Sequence, residues 1–113
     1  MSKKIVSLSK NQDFKTLLEG KKFSNKYVTV FFKELIKKSK NKLYISFVAK
    51  KKLGNAVKRN KIKRRLKNIM NDTIKKFSFN MRYSYLVIAK ETVLKDEYEN
   101  IRKTFLADFK KIK

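Results

Sequence analysis

The stretch "KKKLGNAVKRNKIKRRLKN", residues 50–68, holds ten lysines and arginines and no acid. A segment so charged folds only if its cations leave through one side while apolar residues hold the other. At about 100° per residue, Ile62, Leu66, Ile69, Met70, Thr73 and Phe77 fall on one helical stripe. Asn60, Lys61, Arg64, Lys67, Asn68 and Asn71 fall opposite, with Arg65 on the flank. Gly54 and Asn55 precede the pattern, and Asn55 has the side chain of an N-cap. The spacing predicts a long amphipathic helix with an almost purely cationic outer face. Like charge at this density opposes compaction, so a partner of opposite sign is expected against it.

The rest of the chain supplies a fold to carry that helix. "SKNQDFKTLLEG" reads as a short helix capped at Ser9 or Asn11, with Phe14, Leu17 and Leu18 on one face and Gly20 at its end. "KYVTVFFK" alternates, Tyr27, Thr29 and Phe31 on one side and Val28, Val30 and Phe32 on the other, which indicates a strand. "ELIKKSKNK" is a polar connection short enough for an antiparallel return, and "LYISFVAK" is the next strand, with Leu43, Ile45, Phe47 and Ala49 facing one way. A further short strand at Lys21 to Ser24 is weakly signalled. "YSYLVIAK" is apolar on both faces from Leu86 to Ala89 and reads as a central strand, parallel to residues 43–50 across the long helix. "KDEYENIRKTFLADFKKI" closes the chain as a helix with Ile101, Phe105 and Phe109 inward and Asp96, Glu97 and Glu99 at its positive end. The order is α-β-β-α-β-α, helices packed on one antiparallel or mixed sheet. With 113 residues, 42% hydrophobic, and no linker or repeat, residues 1–113 are expected to form a single domain.

Composition narrows the chemistry. The formal charge is +23, and apolar periodicity from end to end separates this chain from disordered basic tails. No histidine or cysteine is present, which removes the commonest general base, the thiol nucleophile and most transition-metal ligands. The acidic cluster Asp96–Glu97–Glu99 fits a helix N-terminus better than a Mg²⁺ site. No glycine-rich phosphate loop, secretory segment or membrane span is evident, and a cytoplasmic location is expected. Lysine and arginine at helical spacing bridge successive phosphates and release counterions. Arg59, Arg64 and Arg65 are the candidate anchors, because a guanidinium binds two phosphate oxygens at once. Asn60 and Asn68 could read hydroxyls or a hydrated Mg²⁺. Single-stranded RNA also asks for exposed aromatics, and Phe14, Tyr27, Phe31, Tyr44 and Tyr85 are the candidates.

The central segment resembles the protein component of bacterial ribonuclease P. Lys51-Lys52-Leu53-Gly54-Asn55-Ala56-Val57 matches that family's lead-in, and Arg59-Asn60-Lys61-Ile62-Lys63-Arg64 matches its arginine–asparagine–arginine helix. The "LSKNQDF" start, the length and the order of elements agree as well. The resemblance implies an α/β (α+β) two-layer sandwich of order α-β-β-(β)-α-β-α, a sheet of about four strands and a left-handed strand–helix–strand crossover. It implies a protein subunit of a ribonucleoprotein whose RNA uses Mg²⁺ to hydrolyse the 5′ leader from precursor tRNA. On that resemblance Arg59, Asn60, Lys61, Lys63, Arg64 and Lys67 contact the catalytic RNA, beside Arg65 and Asn68 from the residue reading. Phe14, Tyr27, Val30 and Phe31, with Lys51 and Lys52 at the rim, form a cleft for the leader, and no small-molecule substrate or membrane partner is implied. Two positions depart from the pattern. Lys61 and Lys67 stand where arginine is usual, and Leu18 stands where a second cleft aromatic is common. The rival readings are a ribosomal-type or chaperone RNA-binding protein with no part in catalysis, and a self-sufficient nuclease, against which the missing histidines argue.

Overall fold

Apolar residues on both faces of 84–89 require cover on both sides, and the chain provides it. The computed structural model describes residues 4–6, 11–34, 42–76 and 83–112. Five strands, β1 (Lys4–Val6), β2 (Lys21–Ser24), β3 (Val28–Lys33), β4 (Lys42–Val48) and β5 (Ser84–Ala89), alternate with three helices, α1 (Asn11–Leu18), α2 (Ala56–Ile74) and α3 (Tyr98–Lys110). Four strands form a mixed sheet, β4-β5-β3-β2, which β1 extends at the β4 edge. β5 lies in the middle, parallel to β4 and antiparallel to β3. The weakly signalled strand at Lys21 is β2, antiparallel to β3. β1, parallel to β4, has no counterpart in the sequence reading.

The expected return from β3 to β4 is corrected by the pairing. The two strands run in opposite directions but are not neighbours, because β5 inserts between them. A strand apolar on both faces gains more in the middle of a sheet than at an edge, so the latest strand takes the central place. Residues 35–41 of that connection lie outside the described residues, as do Ser9 and Phe77.

One face of the sheet meets α2 and α3. Val28, Val30, Leu43, Ile45, Tyr85 and Val87 pack there against Ile62, Leu66, Ile69, Met70, Ile101 and Phe105. The other face meets α1, where Leu17 and Leu86 are buried under a ring of half-buried apolar residues. The hand of the β4–α2–β5 crossover follows from the backbone. Lys90 donates its amide to Tyr27 O, so Leu86 and Ile88 aim their peptide groups at β3 while their side chains face α1. For L-residues this sets β3 to the right of β5 and β4 to its left, seen from α1 with β5 running upward. The chain therefore passes from left to right with α2 behind the sheet. That crossover is left-handed, the sense opposite to about 98% of such units.

Gly20 follows α1, yet its role is space. A Cβ there would lie 2.6 Å from the Phe32 carbonyl oxygen and 2.9 Å from Lys33 Cβ, whereas the glycine with positive φ is Gly54. The start of α3 is fixed by Asp96. Its carboxylate accepts hydrogen bonds from Tyr27 OH at 2.6 Å, the Glu97 amide at 2.7 Å and Asn100 Nδ2 at 3.0 Å, with Lys26 Nζ at 3.6 Å. These donors, Tyr27 foremost, hold the Asp96 carboxyl well below the usual carboxylate range. The same contact raises the Tyr27 phenol.

Two outcomes follow. Gly20→Ala should lower the urea midpoint by the equivalent of about 1–3 kcal/mol, because a backbone carbonyl cannot move aside cheaply; an unchanged midpoint would show that the β2–β3 edge yields. Asp96 has a depressed folded pKa, so its stabilisation is complete above the unfolded carboxylate range and fades as pH falls below it. The loss of stability between pH 7 and about pH 3 should then be smaller in Asp96→Asn than in the parent, measured by urea unfolding at both pH values.

Candidate nucleic-acid interface

α2 begins where the chain leaves a single 3-10 turn at Lys51–Leu53. Gly54, at φ 141°, makes the reversal, and Asn55 Oδ1 caps the helix by accepting from the Lys58 amide at 2.9 Å. Ile62, Leu66, Ile69, Met70, Thr73 and Ile74 are buried. Thr73 satisfies its hydroxyl on Ile69 O at 2.7 Å. With that stripe inward, Asn60, Lys61, Lys63, Arg64, Lys67 and Asn68 all emerge exposed, together with Lys51, Lys52 and Lys58. The first turn of α2 contains no acid. The positive end of the helix dipole therefore adds to the lysines around it instead of being offset by carboxylates. This end is electrostatically unfavourable in isolation and favourable beside an anion.

Two predicted anchors are not free on that face. Arg65 is half-buried, donates from Nη2 to Asp96 O at 2.8 Å and lies 5.7 Å from the centre of the Tyr98 ring. Arg59 is also half-buried, and the Nε of each arginine is buried without a hydrogen-bond partner. Arg65 thus ties α2 to α3, a correction to its reading as an exposed anchor. Tyr98 in turn donates to Asp72, and its phenol is pushed up to about 12 by burial and then by that carboxylate.

A second surface lies on the α1 side of the sheet. Phe14, Phe31, Tyr44, Val48 and Ile88 stand half-buried around Leu17 and Leu86. Lys22 Nζ lies 5.8 Å from the centre of the Phe31 ring. A cavity of about 440 Å³ continues toward the end of β5, between Thr29, Ile88, Lys50, Lys52 and Lys90. Lys90 donates from Nζ to Ser24 Oγ at 2.9 Å and to Asn25 O at 2.6 Å. The surface is an apolar, aromatic floor with a lysine rim. Such a floor suits the flat faces of bases, and such a rim suits the phosphates between them.

The predicted cleft residues divide. Phe14 and Phe31 belong to this floor, Lys52 lines the cavity at its end, Lys51 is exposed in the adjoining 3-10 turn, and Leu18 is 50% exposed on α1. Val30 is fully buried on the opposite face, as alternation with Phe31 demands. Tyr27 precedes β3, is only 4% exposed and packs into the α2–α3 core with its hydroxyl on Asp96. Tyr85, also named as an aromatic candidate, is buried in that core. None of these three presents its ring or side chain to the α1-side floor. Sequence reasoning missed Val48, Ile88, Thr29 and Lys90 and left Tyr44 outside the cleft. The parity that sends Leu43 and Ile45 inward already sent Tyr44 and Val48 the other way; nothing in the sequence marks Lys90.

Comparison with known proteins places the chain in context. A family profile for Ribonuclease P matches residues 2–113. The chain is 33% identical over 105 residues to the ribonuclease P protein component of Streptococcus pneumoniae, covering 92% of this chain and 81% of that protein. It is 30% identical over 105 residues to that of Listeria monocytogenes, with 92% and 85% covered. Among solved structures, the RNase P protein of Thermotoga maritima superposes with a TM-score of 0.77 at 26% identity, covering 96% and 98% of the two chains. That of Staphylococcus aureus superposes with a TM-score of 0.70 at 28% identity, covering 94% and 95%. Family profile, relatives and fold agree, and the cationic helix lies inside the matched region: this chain belongs to the bacterial ribonuclease P protein family.

Proposed function

We propose that this chain binds the catalytic RNA of ribonuclease P through the outer face of α2. On the same reading it holds the 5′ leader of precursor tRNA on the α1 side of the sheet and so assists removal of the leader. The observation that carries the reading is the cationic outer face of α2, free of acid from Ala56 to Met70 and exposed there at Lys58, Lys61, Lys63, Arg64 and Lys67 while its apolar stripe is buried. Lys61, Lys63, Arg64 and Lys67 present charge at the spacing of successive phosphates, and their counterions are released on binding. Phe14, Phe31 and Tyr44 offer faces for unpaired leader bases, with Lys22 and Lys52 at the rim.

Hydrolysis of the leader in this family calls for Mg²⁺. Among the described residues no three carboxylates gather to hold one. The Asp96 carboxylate is engaged by Tyr27, Glu97 and Asn100, and that of Asp72 by Tyr98. On this reading the chain's part is binding and positioning, and the metal is held mainly by the RNA.

Mixing the chain with precursor tRNA and a ribonuclease P RNA at low Mg²⁺ tests this division. Cleavage is expected only with protein and RNA together; cleavage without RNA would overturn the division, and no effect of the protein would favour a structural RNA binder. Arg64→Ala should weaken RNA binding and flatten the slope of log K against log salt by roughly one unit. An unchanged slope removes Arg64 from the phosphate contacts. Phe14→Ala should reduce the preference for leader-bearing over mature tRNA by about fivefold or more, the lower range for one stacked base. Equal losses on both substrates would place the leader elsewhere.

A further inference from the structure

On the sheet face opposite α1, between β2, β3 and the last turn of α3, lies a groove of about 530 Å³. Phe23, Phe32 and Tyr83 form its walls, Lys21 and Lys111 stand at its rim, and Asp108 lies beside Lys111. Phe32 and Tyr83 are set edge to face, 5.2 Å apart at 73°, and Phe23 and Phe32 are tilted, 6.4 Å apart at 55°. All three are only partly buried, so each leaves some ring surface accessible from the groove. A neighbouring hollow of about 360 Å³ shares Lys21, Phe32 and Tyr83 and adds Lys33, Glu19 and Glu34.

We propose that this groove is a second subsite for single-stranded RNA, taking one base of a strand that passes from the α1-side floor around β2. The inference extends the leader reading and borrows from it only the path of the strand. Continuity with the α1-side floor and the aromatic walls favour this occupant. β2 is the last strand of the sheet, and its alternation puts Lys22 over Phe31 on one side and Lys21 beside Phe32 on the other. A strand rounding that edge meets a lysine before each aromatic surface. A second copy of this chain would arrive with its own charge of +23 and be repelled. An acidic peptide would bring charge to the same lysines but no flat base to lie against Phe32 and Tyr83.

Lys21, Lys33 and Lys111 are balanced by those three carboxylates, and Asp108 is held by Asn25 Nδ2 at 2.9 Å and Lys111 Nζ at 3.8 Å. The groove is therefore not a phosphate clamp like α2. Stacking supplies its affinity, and stacking tolerates salt where phosphate contacts do not.

The test uses the full chain and oligoadenylates of about four and about twelve nucleotides, with binding followed by amide chemical shifts at about 0.5 M salt, where exposed charge is screened. The longer RNA should shift Lys21, Phe23, Phe32 and Tyr83 in addition to Phe14 and Phe31; the shorter should leave the groove unshifted. Tyr83→Leu keeps the apolar packing but removes the ring. It should weaken the longer RNA at least about fivefold and leave the shorter unchanged. If that variant does not fold, Phe23→Leu, which removes another ring of the groove wall, serves as the second reading and should weaken the longer RNA selectively. Shifts confined to the α1 side, an unchanged affinity in the folded variants, or stronger shifts at the same amides with a glutamate-rich peptide would each overturn the proposal. Groove shifts without any at Phe14 or Phe31 would sink the leader floor and leave the groove standing.

Discussion

Burial of one stripe of α2 against the sheet decides where every cation of the central segment goes. Ile62, Leu66, Ile69 and Met70 are fully buried, and each such side chain contributes about 1.5–3 kcal/mol of transfer free energy. Repulsion between like charges three or four positions apart on a helix costs only about 0.2–0.5 kcal/mol per pair. The core term wins, so the chain tolerates a face of uncompensated charge without unfolding. That tolerance lets a small domain carry a dense cationic surface as part of its own framework. The left-handed crossover sets this helix on the face away from α1, leaving the floor on the α1 side open.

Asp96 connects the parts. Its carboxylate takes the Tyr27 hydroxyl just before β3, the amide of the cap residue Glu97 and the Asn100 side chain of α3, while its own carbonyl accepts Arg65 of α2. One residue at the start of α3 thereby fixes β3, α2 and α3 together. Arg65 and Tyr27 serve this junction at the expense of surface contacts. Acidic residues at a helix start are usually explained by the dipole alone. Here Glu97 occupies the cap position without a side-chain cap bond, and Asp96, one residue earlier, does the specific work.

Periodicity revealed the elements better than their arrangement. The 3.6-residue stripe of α2, its Asn55 cap, the central β5 and its parallel pairing with β4 all follow from local pattern and connection length, and the structure agrees. Adjacency did not follow, because insertion of β5 between β3 and β4 is decided by tertiary burial. Gly20 looked like a helix terminator and is a close-approach glycine, a distinction carried by Phe32, twelve residues away. The floor was half legible: parity put Phe31 and Val30 on opposite faces, but which face stays open depends on the shortness of α1. Tyr27 kept the strand's parity in sequence while lying just before β3, where alternation no longer governs.

On the proposed reading, the distribution of arginine on α2 assigns unequal tasks. Lys61 and Lys67 keep the charge of the arginines usual in the family pattern but lose the planar fork that grips two oxygens. Arg65 is engaged by Asp96 and Tyr98, and Arg59 is half-buried. Among the arginines of the described α2, Arg64 is then the exposed one. Long-range attraction comes from the whole lysine-rich surface and falls off with salt, whereas orientation requires directional donors. The chain therefore draws RNA with many lysines and sets its register with few arginines, Arg64 first among them. Lysine suffices for the first task because it depends on net charge, which the substitutions at 61 and 67 leave intact.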